Sequence, residues 1–130
     1  MGIIRAISGK PTGAVTLDAE ITPSNASRPS ITVDGPRDRL YVSNLLGQVL
    51  VFDRASTLTT GAPTASRTIQ LPFSMEHRLF VETTNDRLYA SAQNRVLIIN
   101  NAGTASGAVA TAVAQLSTTN SDITAVVARP

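Results

Sequence analysis

Short apolar runs alternate with turns rich in Gly, Pro, Asn and Asp along the middle of the chain. Runs of five or six residues with many β-branched side chains are typical of β-strands. The last run of each group alternates more openly, which predicts a strand at the outer edge of a sheet, although the alanines of residues 108–116 leave a helix open there. The pattern predicts two groups of four strands, at residues 30–34, 39–44, 48–53 and 64–70, and at residues 78–82, 87–92, 95–100 and 108–116.

The two groups repeat one another. Residues 85–91 echo residues 37–43, and Asp86 follows Asp38 by 48 positions. The same spacing of 48 separates Gly61 from Gly13, and a further Gly-Ala pair follows Gly61 by 46. Several separate segments therefore agree on one period, and we infer an internal repeat, which is the signature of solenoids and propellers.

Four antiparallel strands in 40–50 residues is the spacing of a β-propeller blade. The fold class is therefore predicted to be all-β, with β-propeller-type four-stranded antiparallel blades. Residues 1–130 form a single propeller-repeat unit with about 2.7 repeats of 48 residues. Its predicted parts are a partial blade at residues 1–21, blades at residues 28–70 and 76–116, and the first strand of a shared blade at residues 121–130.

Fewer than three blades do not close a propeller, which needs about four or more. Open sheet faces and unpaired edges are an aggregation hazard, so the chain is predicted to be completed by copies of itself. The first strand at the C-terminus of one copy would join the N-terminal pair of the next. Such head-to-tail packing closes as a ring or runs on as a fibre. The alternative is that the chain is part of a longer propeller.

Residues 38–44, with the sequence DRLYVSN, and residues 49–53, with the sequence VLVFD, resemble the bacterial YVTN/NHL-type propeller repeats. The segment RASTL at residues 54–58 and the segment PTASRTI at residues 63–69 extend the resemblance. The resemblance implies the propeller fold and an extracytoplasmic location, although the chain shows no signal peptide. It does not imply one function, because propellers include binders, scaffolds and enzymes.

Charge and composition exclude several classes of function. Ten of the eleven basic residues are arginines that are scattered along the chain, and the net charge is only +2, so a nucleic-acid partner is not expected. No cysteine is present, which excludes disulfides and thiolate metal sites. No uncharged stretch is apolar enough to insert in a membrane. We expect no cofactor and no metal bound by a His-rich cluster, since His77 is the single histidine.

The repeated carboxylates are the candidate ligand-binding residues. Asp34 and Glu82 end the innermost predicted strands, where propellers collect polar groups around a central channel. Oligomerisation would multiply them into a ring of carboxylates that offers oxygen ligands to a cation. The alternative is that both are solvated strand ends. Asp38 and Asp86 are predicted to cap turns with their side chains.

The other residues that recur at the repeat spacing are assigned structural roles. Arg39 and Arg87 are expected to pair with neighbouring blades or to face solvent. Tyr41 and Tyr89 occupy matching strand positions and are predicted to be core residues, with a stacking platform for a sugar as the alternative. His77 and its neighbour Glu76 would suit an acid–base pair, but no nucleophile stands in a recognisable context.

These observations predict a non-catalytic structural or ligand-binding scaffold assembled from several identical chains, and not an enzyme. A small molecule or a glycan is a candidate ligand. One alternative is a lectin-like multivalent carbohydrate binder. The other is a lactonase-like, metal-dependent hydrolase that uses Asp34 and Glu82 in the channel.

Overall fold

The computed structural model describes residues 1–3, 17–27, 29–72, 78–92, 95–108 and 114–117, and it is all-β with antiparallel sheets. None of the described residues forms a helix that is long and apolar enough to cross a membrane. Within the described ranges, the one helical element is a short 3₁₀ turn at Ala55–Thr57. The described strands are β1 (Gly2–Ile3), β2 (Ala19–Glu20), β3 (Ile31–Asp34), β4 (Arg39–Ser43), β5 (Gln48–Asp53), β6 (Arg67–Gln70), β7 (Arg78–Glu82), β8 (Arg87–Ala92), β9 (Arg95–Ile99), β10 (Gly107–Ala108) and β11 (Ala114–Ser117).

The first sheet has the strand order β10-β6-β5-β4-β3. Its tight turns follow from the sequence. The Oδ1 atom of Asn44 accepts the N–H groups of Leu46 and Gln48, each at 3.0 Å, and Gly47 takes a positive φ of 72°. An Asn side chain that mimics a backbone turn, followed by Gly in the left-handed region, is typical of a hairpin connection.

The second sheet has the order β11-β9-β8-β7 and is antiparallel throughout. Its first turn matches the first turn of the first sheet: Asp86 has a φ of 53°, and Asp38 has a φ of 52°. After the third strand of each sheet, Arg54 and Asn101 take φ values of 56° and 51°. Non-Gly residues rarely adopt this region, so four of them at matching positions mark equivalent backbone paths.

A third antiparallel pair lies on the other side of the first sheet. In this pair, Gly2 of β1 is opposite Glu20 of β2. In the first sheet, Leu50 is opposite Thr68, and both residues lie 48 positions further along the chain. The register of β1 and β2 is thus the register of β5 and β6.

Parallel bridges recur with the same spacing. Ile21, which follows β2, bridges to Gly61, and Ile69 of β6 bridges to Gly107 of β10. The two isoleucines are 48 residues apart, and the two glycines are 46 apart. Each glycine loop therefore joins the outer strand of the preceding pair or sheet.

Strand positions agree closely with the sequence pattern, and the differences are local. Gln48–Asp53, Arg78–Glu82 and Arg87–Ala92 have the predicted bounds. The prediction that the fourth strand forms the outer edge is wrong for the first sheet, because β10 adds a fifth, parallel strand beyond β6. The described end of the segment at 108–116 is a strand and not a helix. The strand predicted within residues 121–130 lies outside the described residues.

The buried side chains form two clusters. One contains residues of both sheets, among them Tyr41, Val51 and Ile69 from the first sheet and Val81 and Leu97 from the second. The other joins the opposite face of the first sheet to Ile21, Met1 and Ile3. The central strands β4 and β5 are therefore covered on both faces, which explains why they are continuous apolar runs. The members of the second cluster that come from the first sheet are Leu40, Val42, Leu50 and Phe52.

Candidate functional site

Asp34 closes the turn between β3 and β4. Its side chain is fully buried, and its Oδ1 accepts the backbone N–H of Arg37 at 3.3 Å. The guanidinium of Arg37 lies 3.2 Å from Oδ2 of Asp34 and also donates to the carbonyl of Thr83, in the turn between β7 and β8, at 2.6 Å. The carboxylate of Asp34 is therefore paired with Arg37, and the second contact of Arg37 helps to hold the two sheets together.

Glu82 has the corresponding role in the second sheet. Its Oε1 accepts the N–H groups of Thr84 at 2.7 Å and of Asn85 at 3.1 Å, and its Oε2 accepts from Nδ2 of Asn85 at 3.0 Å. Desolvation raises the pKa of Glu82, but the hydrogen bonds from Asn85 and Thr84 together lower it below its usual value. Glu82 is therefore held ionised as a turn cap.

The two predicted ligand-binding carboxylates thus use their oxygens within their own turns. A cation bound by Asp34 and Glu82 would compete with Arg37 for Asp34 and with three hydrogen bonds for Glu82. Among the described residues, no group of three or more His, Cys, Asp or Glu side chains is arranged to hold a metal ion. A metal-dependent hydrolase built on this pair would need both residues to release these contacts. Glu76 and His77 lie outside the described residues.

Asp38 and Asp86 accept hydrogen bonds from the loops that follow the third strands. Asp38 accepts the N–H and the hydroxyl of Ser56, both at 2.7 Å. Asp86 accepts the N–H of Gly103 at 3.2 and 3.1 Å. Their positive φ values place the carboxylates over these loops. Each carboxylate therefore caps a loop that is distant in sequence, whereas the sequence predicts that it caps a turn.

Arg39 lies at the junction of the two sheets. Its Nε is 3.2 Å from Oδ1 of Asp53, and its Nη1 is 3.7 Å from Oδ1 of Asp86 in the second sheet. Gly103 makes this reach feasible, because a Cβ at position 103 would overlap the guanidinium. Position 103 corresponds to Ser56 of the first sheet at a spacing of 47. Arg87, at the position equivalent to Arg39, is exposed.

Asp53 is the centre of a small ionic network in the first sheet. The guanidinium of Arg67 forms two hydrogen bonds with its carboxylate, from Nη1 to Oδ2 at 2.6 Å and from Nη2 to Oδ1 at 3.1 Å. The hydrogen bonds and charge of Arg67, with a smaller contribution from Arg39, hold the pKa of Asp53 below its usual value. A paired guanidinium fork on one carboxylate is the strongest common form of ion pair.

The two repeated tyrosines have different surroundings. Tyr41 is fully buried between the sheets, and its burial raises the pKa of the hydroxyl. Within the described part of the chain, this hydroxyl has no hydrogen-bond partner of good geometry. Tyr89 is only half-buried, and its ring is 6.1 Å from the ring of Phe80 at an angle of 52°. The core prediction therefore holds fully for Tyr41 and only in part for Tyr89.

Hydroxyl groups of the first sheet also bind the second sheet. The N–H of Leu79 donates to Oγ of Ser30 at 2.8 Å, and the N–H of Val81 donates to Oγ1 of Thr32 at 3.2 Å. Sequence reasoning missed Ser30, Thr32, Arg37, Asp53 and Gly103. Of these residues, only Asp53 could have been found from the sequence. The strands that contain Asp53 and Arg67 are predicted as consecutive strands of one blade, so their opposite charges are expected to lie close together.

No protein-family model matches the chain, and no curated protein or solved structure matches it at a significant level.

Proposed function

We propose that this protein is a non-catalytic, β-propeller-type scaffold that is assembled from several identical chains. The observation that carries the proposal is the recurrence of one strand register at a spacing of 48 residues. Gly2 pairs with Glu20 as Leu50 pairs with Thr68. Repeat folds are built from units that share one strand register and stack on one another.

The contacts between units support the same proposal. The Ile21–Gly61 bridge links the residue after β2 to the loop that follows β5, and the Ile69–Gly107 bridge links β6 to the loop that follows β9 of the second sheet. In both places, a parallel bridge between an isoleucine and a glycine joins neighbouring units. A four-stranded unit whose central strands are covered on both faces by neighbours corresponds to a blade, and the resemblance to YVTN/NHL-type repeats agrees with it. An extracytoplasmic location rests on that resemblance alone.

Completion by further copies is supported by the unequal burial of equivalent residues. Leu79 and Val81 of β7 are covered by the first sheet, with 9% and 6% of their surface exposed. Ile31 and Val33, 48 residues earlier, are 41% and 57% exposed. Exposed large apolar side chains on one face are typical of a surface that receives a partner.

The absolute mass in solution tests the proposal. Light scattering after size exclusion is expected to give a discrete species of two or three times 13.6 kDa. A folded species of 13.6 kDa at every concentration would overturn assembly from copies. Circular dichroism of the same fractions distinguishes a folded monomer from an unfolded chain.

A multivalent carbohydrate binder is the second candidate, and the Phe80–Tyr89 pair favours it. Both rings are half-exposed on one face of the second sheet, and aromatic faces of this kind stack on sugars. A glycan array probed with the native chain and with Tyr89→Ala tests this function. Binding that is lost in Tyr89→Ala and kept in Leu46→Ala, which removes an exposed side chain from a turn, would support it.

A further inference from the structure

An apolar groove lies between β1 and β3. It has a volume of about 410 Å³, and Ile3, Ile31, Val33, Leu40 and Ala55 contribute to its walls. Ile31 and Val33 are among the most exposed large apolar side chains of the described residues. Among the described residues, this part of the sheet face has no cover.

The structure shows what covers the equivalent face one unit later. Leu79 and Val81 are buried by strands β3 and β4 of the first sheet. There the hydroxyls of Ser30 and Thr32 accept backbone N–H groups of β7, and Tyr41 fills the space behind them. By analogy with this contact, we expect a β-strand with small or apolar side chains to lie over the groove.

An open sheet edge borders the groove. In the first sheet, β5 pairs with β6 on one side and with β4 on the other. Its counterpart β1 pairs with β2, and among the described residues no strand lies on its other side. A strand that pairs with the open edge of β1 would gain backbone hydrogen bonds, and its side chains would lie over the groove.

The charges around the groove favour an uncharged strand. At the equivalent junction, Asp86 faces the guanidinium of Arg39, which passes over Gly103. In the groove, Ser56 replaces that glycine, and its N–H and hydroxyl satisfy both oxygens of Asp38. An incoming arginine on the same path would meet the side chain of Ser56, and it would find a carboxylate that already has partners.

We propose that the groove of one copy binds residues 123–127 of a second copy as a strand beside β1, at the position that β4 has beside β5, and not as the first strand of a blade that the sequence predicts. This inference rests on the proposed assembly from identical chains. The segment reads Ile-Thr-Ala-Val-Val, so it has no charge and four of its five residues are β-branched. Such a segment favours a strand on a half-buried surface. It lies outside the described residues, near the opposite end of the chain from β1, so each copy offers one groove and one segment.

Two variants separate the two halves of the interface. Val33→Asp places a charge in the groove at an exposed position, and Thr124→Pro removes a backbone donor from the segment. Leu46→Asp is the matched control, because Leu46 is similarly exposed, at 53%, but lies in the turn between β4 and β5. Circular dichroism verifies that every variant folds.

Each interface variant alone is expected to lose the assembly that the native chain and Leu46→Asp retain. An equimolar mixture of Val33→Asp and Thr124→Pro has one intact groove and one intact segment, so it is expected to form a species of two copies and nothing larger. Native mass in Val33→Asp or in Thr124→Pro would overturn the inference while the scaffold stands. A mixture that stays at one copy would also overturn it. A native chain that is itself monomeric would overturn the proposed assembly first.

Discussion

Nη1 of Arg39 lies 3.7 Å from Oδ1 of Asp86, so a side chain of the first sheet reaches a loop-capping aspartate of the second. Both side chains are four-fifths buried, with 21% of each exposed. The pair exists because position 103 carries no Cβ that would occupy the path of the guanidinium. One ion pair thus depends on residues from three separate turns and strands.

Gly103→Ala is expected to destabilise the protein by about 1–3 kcal/mol, the usual cost of adding a methyl group to a filled site. The new Cβ overlaps the guanidinium of Arg39, which must withdraw from Asp86. Urea unfolding at one fixed protein concentration measures the difference. Gly35→Ala is the control, since a Cβ at Gly35 meets nothing within 4 Å. If Gly103→Ala costs as much when Arg39 is replaced by Met, the cause is not this contact.

The all-β class and most strand positions were predictable because the information for them is local. Strands such as Gln48–Asp53 are predicted from a run of apolar residues between turn residues. This pattern can be recognised without knowledge of the partner strands. The parallel pairing of β10 was not predicted: Ala108 was expected to begin the last strand of the second group, but Gly107–Ala108 lies beside β6 of the first sheet. It is a strand only because β6 offers a free edge to the glycine loop.

The candidate site was less predictable, for a physical reason. The positions of Asp34 and Glu82 at strand ends were correctly predicted, but their partners depend on rotamers and turn geometry that spacing does not encode. Arg37 illustrates the point: its guanidinium meets a carboxylate three residues away and a carbonyl 46 residues away. A contact of the second kind has no signature in a single sequence.

Asp53→Asn is expected to reduce the loss of stability in acid. The pKa of Asp53 is lowered in the folded protein, chiefly by Arg67, so its contribution is present above the unfolded pKa of about 3.9 and is lost as the pH falls through the folded value. The native chain is therefore more stable than Asp53→Asn at neutral pH, and the two converge in acid.

Thermal or urea unfolding between about pH 7 and pH 2 measures this convergence. Because 34% of the Asp53 side chain is exposed, added salt is expected to shrink the difference at neutral pH. Parallel curves that keep a constant separation down to the lowest pH would show that the ion pair with Arg67 does not contribute.

Asp38→Ala is expected to cost about 2–3 kcal/mol, whereas Asp38→Asn costs less than about 1 kcal/mol. Alanine loses both hydrogen bonds to Ser56 and must keep a φ of 52°, which disfavours a side chain with a Cβ. Asparagine tolerates that region and retains an acceptor for the N–H of Ser56. Urea unfolding of the two variants ranks them, and equal costs would show that the carboxylate charge, and not the geometry, is what stabilises the loop.

Ser30→Ala is expected to destabilise the protein by about 1–3 kcal/mol, since it leaves a buried donor without its acceptor. The donor is the N–H of Leu79, which lies 2.8 Å from Oγ of Ser30 and is the first link between β3 and β7. Ser24→Ala, at an exposed position, is the control and is expected to change stability by less than about 0.5 kcal/mol. Amide hydrogen exchange gives the more specific measurement, because only loss of this bond accelerates exchange at Leu79 while the neighbouring amides of β8 keep their protection. Unchanged exchange at Leu79 would mean that the hydrogen bond to Ser30 does not contribute to the contact between the sheets.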